Sequence, residues 1–124
     1  MNVKLLRKVA KFILAKPKRF DMANFGYRLP KKNGGPECGT VACIAGWAVI
    51  LSQGIPQRAD VPMPSIGRLE GMVALGISDE QAQRLFYTEP WPKQFAEYDR
   101  DQTLKAARIA VKRIEHFIRT KGKE

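Results

Sequence analysis

The sequence predicts an all-α protein, a compact helical bundle around one buried central helix, with irregular connections rich in proline and glycine. Three observations support this fold class. Apolar residues recur at helical spacing near both ends, residues 41–51 are continuously apolar, and no segment of useful length alternates as a strand does. The 124 residues suit one domain, so residues 1–124 are expected to form a single helical unit.

The first predicted helix spans residues 1–16. Leu6, Val9 and Ile13 repeat at steps of three and four, and Pro17 ends the pattern. Lysines and arginines occupy the other side, so the helix is amphipathic and cationic. Residues 18–38 contain two prolines and three glycines and are expected to form an ordered loop.

The central helix is predicted over residues 40–52. Because the segment is apolar on all sides, it belongs in the protein interior. A glycine inside a helix costs roughly 1 kcal/mol against alanine, so Gly46 indicates close approach of a neighbouring backbone. We therefore expect Cys43, Gly46 and Trp47 to be structural core residues, with Trp47 facing the C-terminal helix or the segment around Trp91.

Two shorter helices are predicted over residues 65–75 and 79–87. Ser65 is the expected cap of the first, and Gly76 its end. Residues 78–81, Ser-Asp-Glu-Gln, have the form of a capping box, which makes the start of the second helix the best-defined boundary of the chain.

The last predicted helix spans residues 101–119. Its apolar residues alternate at steps of three and four, which predicts one buried face: Leu104, Ala107, Val111, Ile114 and Ile118. The opposite face is basic: Lys105, Arg108, Lys112, Arg113 and Arg119.

The charge of the chain is strongly positive and uneven. The 22 lysines and arginines exceed the 12 acidic residues, giving a net charge of +10. Residues 1–32 contribute +9, residues 33–100 contribute −3 and residues 101–124 contribute +4. Two basic ends around a mildly acidic middle favour binding to nucleic acid, to an acidic protein or to an anionic membrane surface.

The motif Cys-Gly-Thr-x-x-Cys-Ile-Ala-Gly-Trp-Ala at residues 38–48 resembles a family of small uncharacterised proteins from bacteria and bacteriophages. The shared pattern includes residues 19–22 and 75–78, and it extends into residues 113–118. The resemblance implies a cytoplasmic protein of bacterial or bacteriophage origin, and it implies no particular chemistry.

A cytoplasmic location also follows from the sequence itself. Residues 41–51 are too few to span a bilayer, and basic residues interrupt the apolar pieces of residues 1–14, so we predict neither a signal sequence nor integral membrane association. In the cytoplasm both cysteines are expected to stay reduced.

Cysteine catalysis is the alternative from a different class of function. Cys38 falls where the central helix is expected to begin, and a helix N-terminus or a nearby imidazole can activate a thiol. A cysteine-dependent hydrolase or transferase would pair Cys38 with His116, the one histidine, and Asp21 or Asn24 could be the third member. Two cysteines and one histidine do not indicate a metal site, and no cofactor is predicted.

The sequence favours a non-enzymatic accessory protein that binds an anionic partner through its basic terminal helices. Nucleic acid, bound without sequence specificity, is the first expectation, and an acidic surface of a host protein complex is the alternative. The predicted binding residues are Lys4, Arg7, Lys8, Lys11, Lys16, Lys18, Arg19, Lys105, Arg108 and Lys112.

Overall fold

The computed structural model describes residues 1–29, 39–55 and 65–124. Within them the chain forms five α-helices: α1 (Val3–Ala15), α2 (Ile44–Gln53), α3 (Arg68–Leu75), α4 (Asp79–Phe86) and α5 (Thr103–Arg119). Two 3₁₀ helices cover Pro17–Arg19 and Lys93–Phe95. A small antiparallel pair joins β1 (Tyr27–Leu29) to β2 (Gly39–Val41). The prediction of an all-α bundle is confirmed.

Helix α2 lies at the centre of the bundle. All its side chains from Ile44 to Ile50 are buried, and α1 and α3 both pack against it. The Trp47 ring lies 4.2 Å from the Phe12 ring of α1, centroid to centroid, and its Nε1 donates to the carbonyl of Arg19 at 2.8 Å. These two contacts come from α1 and the turn after it, and the expectation that Trp47 also faces α5 or the Trp91 segment stays a prediction.

Helix α2 begins at Ile44 and not at residue 40. The residues before it, Gly39–Val41, form β2, and Cys43 has an extended backbone and is the N-cap. A continuous apolar run does not by itself distinguish a buried strand from a buried helix, and the start of this run is a strand. Cys43 therefore occupies the helix N-terminus that the sequence assigned to Cys38, which lies outside the described residues.

Local sequence signals set the remaining helix ends. Ser78 Oγ accepts from the Gln81 backbone N–H at 3.2 Å, and Gln81 Oε1 accepts from the Ser78 N–H at 2.9 Å, which confirms the capping box. Gly76 ends α3 with φ +61°, as predicted, since glycine adopts this left-handed conformation readily. Helix α3 begins after Gly67, so the expectation that Ser65 caps it is wrong.

The buried face of α5 differs from the predicted stripe. Leu104 is 46% exposed, whereas Arg113, expected on the basic face, is fully buried. The buried residues are Ala106, Ala107, Ala110, Arg113, Ile114 and Phe117. Three of them are alanines, whose small side chains let the neighbouring helix α1 pack closely along α5.

Candidate functional site

The outer face of α1 is a row of exposed basic side chains: Lys4, Arg7, Lys8 and Lys11. The opposite face of the helix is in the core, with Leu6, Val9 and Ile13 fully buried. Packing of the apolar face therefore fixes the direction in which the basic side chains point. Among the described residues, none of the four has an acidic partner within 4.0 Å.

The basic row continues beyond the end of α1. Lys16 and Lys18 are exposed, and Arg19 is half-buried. The backbone of the turn is held firmly, because the Arg19 carbonyl accepts both from Trp47 Nε1 and from the Ala42 N–H, the latter at 3.1 Å. The turn residues thus keep a fixed position relative to α1 and α2.

Helix α5 packs against α1 and carries three further basic residues of the predicted set. Lys105, Arg108 and Lys112 are exposed. Lys105 is partly neutralised, since its Nζ lies 3.5 Å from Glu97 Oε2. We call the ten predicted residues the basic surface: Lys4, Arg7, Lys8, Lys11, Lys16, Lys18, Arg19, Lys105, Arg108 and Lys112.

Arg113 lies in the protein interior and not on the basic face of α5, where the sequence predicts it. Its Nη2 donates to the carbonyls of Arg84, at 3.0 Å, and of Glu124. Its Nε and Nη1 are buried without a hydrogen-bond partner in the described part of the chain, and three aromatic rings surround the guanidinium. Burial lowers the pKa of Arg113 to about 10.

The His116 side chain, near the end of α5, has polar contacts with Gln94, Arg119 and Glu124. Gln94 Nε2 and Arg119 Nη2 each lie 3.3 Å from His116 Nδ1. Because both neighbours are donors, Nδ1 is the acceptor and the neutral ring carries its proton on Nε2, 3.8 Å from Glu124 Oε1. With Cys38 outside the described residues, a Cys38–His116 pair stays a prediction.

Cys43 is a buried thiol at the N-terminus of α2. Burial raises the pKa of Cys43 to about 11, and hydrogen bonds from the backbone of Gly46 and Ala45 only partly oppose this effect. The thiol is therefore protonated at neutral pH, which suits a packing role better than a nucleophile. Cys43, Gly46 and Trp47 are all buried in the core, where the sequence places them.

A cavity of about 330 Å³ opens beside Cys43. Its walls come from the segment after the first 3₁₀ helix, the end of α4 and the residues before α5, and they include Phe25, Phe86, Tyr87, Tyr98 and Arg100. Sequence analysis missed this cavity because the segments that form it are far apart in the chain. The one feature of the sequence that indicates the cavity is that aromatic and polar residues occur together at 86–89 and 98–100, without a helical or strand-like spacing.

Asp21 contacts three residues that line this cavity: Arg100, Asn24 and Ala23. Asp21 is a buried residue, with 8% of its surface exposed. Its Oδ2 lies 2.6 Å from Arg100 Nη2 and accepts from Asn24 Nδ2 at 3.3 Å, while Oδ1 accepts from the Ala23 N–H at 2.9 Å. Asp21 and Asn24, weighed as catalytic partners of Cys38 and His116, thus hold each other and Arg100 in place.

Two general features bear on the class of site. Every helix within residues 1–29, 39–55 and 65–124 is too short or too polar to cross a lipid bilayer. In the same ranges, no three or more His, Cys, Asp or Glu side chains are grouped so that they could hold a metal ion.

Comparison with protein-family models, with curated proteins and with solved structures finds no match to this chain.

Proposed function

We propose that this chain is a small non-enzymatic accessory protein that binds nucleic acid through the basic surface, without reading sequence. The exposed row on α1 carries the proposal. Its four cations have no acidic partner among the described residues, and nothing in the packing of α1 requires them. Lysine and arginine side chains of this kind contact phosphates and carry no sequence information.

The dimensions of the row suit a polyphosphate. Lys4 and Lys11 are seven residues apart, which is about 10 Å along a helix axis. A DNA duplex carries one negative charge for about every 1.7 Å of its axis, so roughly six phosphate charges lie within that length. The row therefore supplies several phosphate contacts, and α5, which packs against α1, carries three more exposed cations.

An anionic membrane surface is a poorer partner for the same helix. Insertion at a lipid interface requires the apolar face of an amphipathic helix. In α1 that face is in the core, where Leu5, Leu6, Val9 and Ile13 are at most 6% exposed. Membrane insertion of α1 would require the bundle to open.

An acidic protein is the second candidate, and one observation favours it. Leu14 of α1 and Leu104 of α5 are 42% and 46% exposed, and both lie on the helices of the basic surface. A protein partner could cover these side chains, whereas phosphates could not. The acidic surface of a host protein complex, the alternative expected from the sequence, is a partner of this class. The proposal also includes the bacterial or bacteriophage origin and the cytoplasmic location expected from the sequence.

The test is a titration of labelled 20-mer DNA and RNA, single- and double-stranded, at several salt concentrations. We expect micromolar affinity or better at low salt, with log K falling linearly against log salt by about 0.9 for each phosphate contacted on duplex DNA. The double variant Lys8→Glu/Lys11→Glu should bind at least tenfold more weakly, since two phosphate contacts become repulsive.

The matched control is Lys93→Glu/Lys123→Glu, which makes the same change in net charge at two exposed lysines outside the basic surface. An equal loss in both variants would show that net charge alone drives binding and would refute the assignment to α1. No binding at low salt would refute the nucleic-acid proposal, and an acidic protein would then be the candidate to test.

A further inference from the structure

The cavity beside Cys43 combines aromatic walls with polar groups at its mouth. Its volume of about 330 Å³ lies in the range of small-molecule sites. Four aromatic side chains line it: Phe25, Phe86, Tyr87 and Tyr98. Aromatic walls of this kind favour a flat aromatic ligand, because aromatic rings attract one another in offset-stacked or edge-to-face arrangements.

Arg100 presents hydrogen-bond donors to this cavity in a fixed orientation. Its Nη2 is held 2.6 Å from Oδ2 of the buried Asp21, while 55% of the Arg100 side chain is exposed. The Nε and Nη1 groups have no acceptor among the described residues. One end of the guanidinium is therefore anchored and the rest is available to a ligand.

Tyr98 and Glu89 add a second donor and an acceptor. The Tyr98 hydroxyl oxygen accepts from the Met22 N–H at 3.1 Å, and its own proton has no acceptor in the described part of the chain. Burial raises the pKa of Tyr98, so the hydroxyl keeps that proton. Glu89 lies at the mouth of the cavity, exposed and without an ion pair to any described residue.

This combination suits a neutral ring better than a simple anion. The charge of Arg100 is already balanced by Asp21, and the carboxylate of Glu89 repels a phosphate or a carboxylate. A flat aromatic ligand with both donors and acceptors on its edge satisfies the walls and the mouth together. Among the parts of a nucleic acid, the base has this chemistry.

We propose that the cavity binds one unstacked nucleobase of a single strand whose phosphates lie on the basic surface. The inference rests on the proposed function and deepens it by naming the form of nucleic acid. Arg19 is three residues before Met22, a lining residue of the cavity, so this end of the basic surface is close to the cavity along the chain. Adenine, cytosine and guanine carry exocyclic amino groups, from which a carboxylate accepts, so Glu89 favours these bases over thymine or uracil in the cavity, while the basic surface itself reads no sequence.

The experiment uses a single-stranded 12-mer with one central 2-aminopurine and the matched duplex, at low salt. Stacking of a base on aromatic side chains changes the fluorescence of 2-aminopurine. We expect a change with the single strand only, and about tenfold tighter binding of the single strand than of the duplex. Millimolar adenosine should reverse the fluorescence change, which a purely backbone contact would not allow.

Two variants test the cavity itself. Ala23→Phe places a large side chain at the wall without altering any charge, and Ala96→Phe is the matched control at an exposed alanine elsewhere. The first should remove the preference for the single strand while duplex binding persists, and the control should retain both. Glu89→Gln changes an exposed residue and should reduce the discrimination between oligo-dA and oligo-dT.

The outcomes separate the two proposals. Equal affinity for single strand and duplex, with unchanged fluorescence, would overturn the base-binding cavity and leave the basic surface intact. No binding of either oligonucleotide would overturn the proposed function as well. If Glu89→Gln strengthened binding to oligo-dA and oligo-dT equally, Glu89 would act only through its charge and the base preference would be refuted.

Discussion

The carbonyl oxygen of Phe25 lies against the α-carbon of Gly46, in the space that a side chain at this position would fill. A Cβ on Gly46 would also lie 2.7 Å from the Cβ of Ala42. The contact joins the segment before β1 to the middle of α2. It confirms the close backbone approach that a glycine inside this apolar helix predicts.

Replacement of Gly46 by valine should therefore be among the most damaging changes in the chain. The added side chain collides with backbone, which cannot move aside as a flexible side chain can. We expect a loss of about 3 kcal/mol in the free energy of unfolding, measured by urea denaturation. Gly67→Ala is the control, because a Cβ there meets only Glu70 Oε2 at 3.6 Å and should cost less than about 1 kcal/mol. Equal stabilities would contradict the collision.

The start of α4 offers a second test with a built-in comparison. Ser78→Ala removes the hydroxyl that accepts from the Gln81 N–H, so it should destabilise the protein by about 1 kcal/mol. Ser65 is exposed and caps no helix, although the sequence suggests that it does. Ser65→Ala should therefore change the free energy of unfolding by less than about 0.5 kcal/mol. A cost at Ser65 equal to that at Ser78 would contradict the assigned cap.

These cases show which features the sequence can predict. The capping box and the glycine that ends α3 depend on residues within one or two turns, so a local pattern is sufficient. The start of α2 was predicted wrongly because burial in the core makes strand and helix equally apolar. The burial of Arg113 depends on Trp91, Phe95 and Phe117 closing around it, which no periodicity within α5 indicates.

The two candidate sites differ in the same way. The basic residues of α1 could be identified from the sequence because an amphipathic helix shows its exposed face in its own spacing. The cavity could not be, since Asp21, Cys43, Tyr87 and Arg100 come from four separate segments that only the fold brings together.

The buried thiol of Cys43 should make stability depend on alkaline pH. Burial raises the pKa of Cys43 from 9.0 to about 11, so the folded state keeps a proton that the unfolded state loses. This contribution is fully present below pH 9 and is lost as the pH rises through 11. The stability advantage of the wild type over Cys43→Ala should fall by on the order of 2 kcal/mol between pH 8 and pH 11. Groups that both proteins share cancel in the comparison, and a constant advantage would refute the raised pKa.

The same thiol should be unreactive in the folded protein at neutral pH. In a Cys38→Ala background, Cys43 is the one remaining cysteine, and it is 2% exposed. Its reaction with a disulfide reagent should be at least a hundredfold slower in buffer than in denaturant, because only the thiolate attacks. Fast reaction in buffer would instead make Cys43 a candidate nucleophile beside the cavity.

Arg113 provides the sharpest test of how this core is stabilised. Two of its three nitrogens have no hydrogen-bond partner in the described residues, so the core bears the cost of desolvating this cation, which three aromatic rings and Glu124 offset only in part. Arg113→Met keeps most of the volume and removes the charge, and we expect a free energy of unfolding equal to the wild type or higher by about 1–4 kcal/mol. Both variants lose the bonds to the carbonyls of Arg84 and Glu124, but Arg113→Ala also leaves a cavity and should lose about 3 kcal/mol. Burial lowers the folded-state pKa of Arg113 to about 10, so above pH 10 the unfolded state binds more protons than the folded state. The free energy of unfolding of the wild type should therefore rise relative to that of Arg113→Met as the pH increases above 10. Equal destabilisation by Met and Ala would show that the bonds to Arg84 and Glu124 outweigh the burial of charge.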